Sequence, residues 1–105
     1  MNRRTARIDA YVFVSTRTSL DQCAHRTGRS RAHILEQALT EYLADGCPAP
    51  NPPLPPAVGQ RPRIFAYILP EVREALDRAA DETGRSLSHL VESALRQCSG
   101  DHAVS

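Results

Sequence analysis

At 105 residues and a formal charge of +1, the chain has room for one small domain or two interlocked half-domains. No apolar run reaches the length of a membrane span or follows the start as a leader, and three cysteines without metal-ligand spacing suit a reduced, cytoplasmic protein. The charge is unevenly spread: residues 1–43 carry seven Arg against Asp9, Asp21, Glu36 and Glu41 (seven minus four, +3), whereas residues 63–105 carry five Arg against seven acidic residues (−2). All thirteen basic residues are Arg, which suits bidentate contact with phosphate or guanine and equally reflects a GC-rich coding sequence.

Residues 1–6 form a polar arm carrying Arg3 and Arg4. Ile8 to Val14 is rich in β-branched and aromatic residues and too short for a helix of its own, so it reads as a strand. A helix follows and stops at Gly28, a residue that tolerates the left-handed turn after a helix. Its start is weak. Thr16 and Ser19 interrupt the apolar face, no Pro marks the entry, and Ser15 or Thr16 would have to cap it. The expectation is a helix that begins late or packs less tightly. Ser30 is the natural cap of the next helix, whose apolar stripe is Ile34, Leu35, Ala38, Leu39 and Tyr42.

Residues 44–62 hold seven of the eight prolines, which excludes a regular helix or a central strand. At about 3.1 Å per residue in an extended proline-rich conformation, this linker spans roughly 50–60 Å. Pro-Pro-Leu-Pro-Pro at 52–56 has the composition of a ligand for a proline-binding domain, but a spacer explains it without a partner. A second strand, Ile64 to Leu69, ends at Pro70, which suits the first turn of a helix, as do Glu71 and Glu74 near its positive end. Val72, Ala75, Leu76, Ala79, Ala80 and Thr83 recur at helical spacing up to Gly84. Ser86 caps a last helix with Leu90, Val91, Ala94, Leu95 and Cys98 on its apolar stripe, and residues 100–105 are left as a tail.

The two halves are copies of each other. Arg7 to Leu43 recurs without a gap as Arg63 to Ser99, with identical pairs that include Arg7/Arg63, Tyr11/Tyr67, Gly28/Gly84, Arg29/Arg85, Ser30/Ser86, His33/His89 and Glu36/Glu92. A unit of this size, residues 7–43, is too small to bury its own apolar face, so the copies should pack on each other.

The order strand, helix, Gly-Arg-Ser, helix resembles the ribbon-helix-helix family of DNA-binding proteins, to which the Met and Arc repressors belong. In the second copy the resemblance rests on Ile64 to Glu71, Leu76 to Ser86 and Ala94-Leu95; in the first it rests on Leu20 with Ala24, Thr27 to Ser30 and Ala38-Leu39. It covers nearly everything outside the linker and the termini. The resemblance implies a mainly α fold with a two-stranded antiparallel β-ribbon, the two units forming an intramolecular pseudo-dimer. It also implies that the ribbon enters the major groove of double-stranded DNA.

Strand alternation offers two phases. In the first, Ile8, Ala10, Val12 and Val14 with Ile64, Ala66 and Ile68 face the core, and Phe13 and Leu69 join the outer face. By the family's geometry the outer face then meets bases through Arg7, Asp9, Tyr11, Arg63, Phe65 and Tyr67. That face is more aromatic and apolar than base reading normally calls for. Gly84 also lies one residue closer to Pro70 than the family pattern has it, which admits a phase slipped by one. Phosphate contacts are implied for Arg3 and Arg4 in the arm, Arg29, Ser30 and Arg31 at one helix start, and Arg85 and Ser86 at the other. Both serines serve as ordinary caps in either case. His33 and His89 are the histidines that repeat; without companion ligands a polar edge position suits them better than a metal.

The function this supports is a DNA-binding transcriptional regulator with double-stranded DNA as its partner, and either further copies along DNA or a protein as the candidate additional partner. The acidic residues from Glu71 to Glu82 would have to face away from DNA. The divergence of the halves implies an asymmetric site, or one half serving mainly as scaffold. The alternative is a protein-binding module on the same fold: a conjugation-accessory, antitoxin-like or inhibitor protein. No nucleophile–base set or carboxylate pair suggests an enzyme, and no cofactor or metal is expected.

Overall fold

The computed structural model describes residues 4–48 and 62–104; Arg3 and most of the proline-rich linker lie outside the described residues. The elements run β1 (Ala6–Tyr11), α1 (Val14–Thr27), α2 (Arg31–Ala44), β2 (Arg63–Ile68), α3 (Pro70–Thr83) and α4 (Leu87–Val104). Among the described residues the fold is mainly helical with a two-stranded antiparallel sheet. β1 and β2 come from opposite halves of the chain, so each supplies the backbone partner that the other lacks.

Asp9 faces Phe65 in the ribbon, flanked by Arg7 opposite Tyr67 and Tyr11 opposite Arg63. The buried side presents Ile8, Ala10 and Val12 from the first half, and Ile64 and Ile68 from the second. This is the first of the two phases. Below it lie α2 and α4, packed on each other, with Leu35, Leu39, Tyr42, Leu90 and Val91 in one continuous core with the strands. Each fully buried aliphatic side chain contributes about 1.5–3 kcal/mol, so the apolar stripe of the two helices is the main source of stability.

Two readings of the strand ends are corrected. Val14 lies on α1 and is 66% exposed, because β1 stops at Tyr11 and the pleat does not reach it. Phe13 and Leu69 leave the outer ribbon face and become the residues that precede α1 and α3, both half-buried.

The first helix is also not delayed. α1 and α3 are both 14 residues long and start at matched positions, Val14 and Pro70. Neither Ser15 nor Thr16 is the cap. The cap comes from the other half of the chain. Glu92 of α4 accepts the Phe13 N–H at 2.8 Å and the Thr16 hydroxyl at 2.5 Å, and Glu36 of α2 accepts the Leu69 N–H at 2.9 Å. A carboxylate here satisfies a backbone donor with no intrahelical partner and lies at the positive end of the helix dipole. Thr16, which weakens the apolar pattern in sequence, is buried because its hydroxyl has this partner.

The remaining helix boundaries follow the expected chemistry. Gly28 and Gly84 adopt left-handed φ values of 69° and 71° just past α1 and α3. Ser30 and Ser86 accept the N–H groups of His33 and His89, both at 3.1 Å. α4 continues to Val104, past the expected unit boundary at Ser99. The first linker residues belong to the fold: Cys47 is buried, and the Tyr42 hydroxyl donates to the Pro48 carbonyl at 2.7 Å. Among the described residues, no helix is long and apolar enough to cross a membrane.

Candidate nucleic-acid interface

The paired strands put Arg7, Asp9, Tyr11, Arg63, Phe65 and Tyr67 on a single exposed face, because alternate residues of a strand point the same way. Asp9 sits at its centre. The Arg7 guanidinium donates to both carboxylate oxygens, at 3.1 and 3.3 Å, and Arg63 approaches the same carboxylate at 3.9 Å. Arg7 also stacks 4.8 Å from the centre of the Phe65 ring. Its pKa is raised first by the Asp9 hydrogen bond and then by the Asp9 charge. These are solvent-exposed pairs screened by water, so an incoming polar group can displace them. The three aromatic rings remain open: Tyr11 is 49%, Phe65 59% and Tyr67 47% exposed.

The start of α2 forms a second polar cluster. Arg29 and Arg31 are exposed on either side of the Ser30 cap. Arg29 lies 3.0 Å from His33 Nε2, and Arg4 lies 3.2 Å from His33 Nδ1. A neutral imidazole has one acceptor nitrogen, so it can accept from only one of these two guanidinium groups. Arg31 is paired with Asp21 at 3.2 Å, and Arg4 also reaches Glu36 at 3.3 Å.

The corresponding start of α4 is built differently. Arg85 turns inward and donates to the Tyr42 hydroxyl at 3.3 Å and the Cys47 carbonyl at 3.2 Å. Leu87 stands where the first half has Arg31. Ser88 accepts the Tyr11 N–H at 2.9 Å, joining the first turn of α4 to the end of β1. Among the described residues, the buried His89 Nδ1 and Ser93 hydroxyl have no hydrogen-bond partner. Burial raises the pKa of the Cys47 thiol, against an opposing effect of Arg85.

The expected site residues therefore form two groups. The six ribbon residues come together, and Arg4, Arg29, Ser30 and Arg31 gather at one helix start, whereas Arg85 is tied to the end of α2. Glu36 and Glu92 escaped the sequence reading as functional parts of the molecule, although both set the ribbon's exits. Their signal was present: identical glutamates at matched positions inside two apolar stripes. Among the described residues, no group of three or more His, Cys, Asp or Glu side chains could hold a metal. No family model matches this chain, and no curated protein or solved structure matches it either.

Proposed function

We propose that the chain is a sequence-specific DNA-binding protein, a transcriptional regulator of the ribbon-helix-helix type whose two units form an intramolecular pseudo-dimer. The observation that carries this reading is the symmetry of the ribbon register. Asp9 and Phe65 occupy matched positions of the repeat and face each other, and the matched pairs Arg7/Arg63 and Tyr11/Tyr67 cross over on either side. A two-stranded ribbon fits the B-DNA major groove, where the donor and acceptor pattern distinguishes all four base pairs. Arg7 and Arg63 present guanidinium groups to guanine O6 and N7. Asp9 can accept from cytosine N4, and the aromatic rings suit thymine methyl groups. Helix starts beside the ribbon supply backbone contacts.

The test is duplex affinity as a function of salt. Each neutralised phosphate contributes a slope of about −0.9 in log K against log salt, so several contacts predict a steep linear fall. A nearly flat dependence between low and moderate salt contradicts the proposal. The half-exposed Tyr11, Phe65 and Tyr67 favour a second reading, in which the same ribbon face docks a protein. Salt-insensitive capture of a protein partner, lost on Phe65→Ala, would support it.

A further inference from the structure

Arg7 and Arg63 are matched residues of the repeat at mirrored places on the ribbon, yet their guanidinium groups are held differently. Asp9 stands two residues along β1 from Arg7, on the same face of the strand. Its carboxylate accepts from Arg7 Nε at 3.1 Å and from Nη2 at 3.3 Å, so one edge of the guanidinium is bound at two points. The Phe65 ring, brought beside Asp9 by the register, lies against one face of the same group at 4.8 Å. Each contact alone is weak in water, but edge and face are restrained together. Arg63 has Phe65 at the place where Arg7 has Asp9, and it reaches Asp9 only across the ribbon, at 3.9 Å, beyond hydrogen-bond distance.

A guanidinium carries its N–H donors in a rigid fork. With Nε and one hydrogen of Nη2 engaged, Arg7 keeps the parallel pair at its far end, one N–H from each Nη. That pair matches O6 and N7 of guanine. Asp9 therefore takes no donor that guanine needs. A long side chain held in place beforehand loses less freedom on contact, whereas Arg63 must be ordered when it binds. The charge of Asp9 acts in the same direction. An anion at the centre of the ribbon repels every duplex alike, so it lowers general affinity and leaves recognition more dependent on the correct base.

We propose that Asp9 is a positioning residue for guanine recognition: it aligns Arg7 as a strict guanine reader at one end of the ribbon and leaves Arg63 a permissive contact at the other. This rests on the DNA-binding reading and goes further, because it assigns the stringent end of the site to one residue pair. The Asp9 carboxylate is committed to Arg7 rather than to a cytosine.

Position-resolved selection from random duplexes, followed by competition titration on the recovered duplex, tests this with wild type, Asp9→Asn, Arg7→Ala and the double variant. Wild type should prefer guanine by about 5- to 150-fold at one end of its site, the range for one good bidentate pair, and much less at the mirrored position. Arg7→Ala should erase the strict end. Asp9→Asn should lower its guanine preference to that of the mirrored position, while affinity for random duplex holds or rises. The Tm of Asp9→Asn should match wild type, because Arg7 and Asp9 are both exposed. In the Arg7→Ala background, Asp9→Asn should change no base preference. Equal guanine preference at both ends, or an unchanged preference in Asp9→Asn, overturns the positioning role while leaving DNA binding intact. A further change of preference in the double variant overturns it as well, because Asp9 then reads a base directly. Failure of wild type to enrich any motif or retain any duplex at low salt overturns the DNA reading and this inference together.

Discussion

Replacing Glu92 with Ala removes a carboxylate that is 0% exposed and has three partners: the Phe13 N–H, the Thr16 hydroxyl and Arg96, whose Nε lies 2.6 Å away. The partners do not suffer equally. Arg96 is 36% exposed along its side chain and can turn to water, so its loss is small. The Phe13 N–H loses its cap, at about 1 kcal/mol. The Thr16 hydroxyl, 7% exposed, loses its partner, at about 1–3 kcal/mol. The expected destabilisation is therefore about 2–4 kcal/mol, below the ~3–5 kcal/mol typical when one partner of a fully buried ion pair is removed. Glu92→Gln keeps the shape and an acceptor for Phe13, and should cost about 1 kcal/mol. Glu36→Ala should lie between, at about 1–2 kcal/mol, because Glu36 is slightly more exposed and caps Leu69 through one backbone bond. Urea unfolding followed by circular dichroism at fixed m-value measures all three, and each kcal/mol should lower Tm by roughly 4–8 °C. Amide exchange at Phe13 should accelerate selectively in Glu92→Ala. A Glu92→Ala protein within about 0.5 kcal/mol of wild type, or one less affected than Glu36→Ala, would refute the cross-capping account.

Three further outcomes are expected. Asp9→Ala should free Arg7 and Arg63 from their shared carboxylate; binding to random duplex should tighten and discrimination between sites should narrow, as competition titrations would show. Arg85→Ala should destabilise by about 1–2 kcal/mol through the lost bonds to Tyr42 and Cys47, whereas Arg29→Ala should stay within about 0.5 kcal/mol of wild type in the same unfolding assay. A protease site inserted at residues 52–56 should yield two fragments that remain paired after cleavage. Their Tm should then rise with protein concentration, while that of the intact chain should not, because the tether makes pairing intramolecular.

Most of the architecture is legible in the sequence because its causes are local. Alternation sets Ile8, Ala10 and Val12 against Arg7, Asp9 and Tyr11, and Gly28 and Gly84 stop helices wherever they stand. The apolar stripes of the last helix in each copy mark the core. What could not be read locally is what one half does for the other. Thr16 looks like a defect in an amphipathic helix until Glu92 is placed beside it. Arg85 and Arg29 stand in the same Thr-Gly-Arg-Ser turn, yet of the two only Arg85 meets Tyr42 and Cys47 across the fold. The first strand ends before its alternation does for a related reason: Phe13 continues the alternation, but its N–H is taken by Glu92 and its ring lies 4.9 Å from Arg96.

The central claim, that the paired ribbon reads duplex DNA, is tested most directly by selection from random duplexes with wild type and with the Arg7→Ala, Arg63→Ala double variant. The account predicts an enriched motif for wild type whose guanine positions lose their enrichment in the variant, while its fold and residual salt-dependent binding persist. No enriched motif for the wild type, or an unchanged motif for the variant, would contradict it.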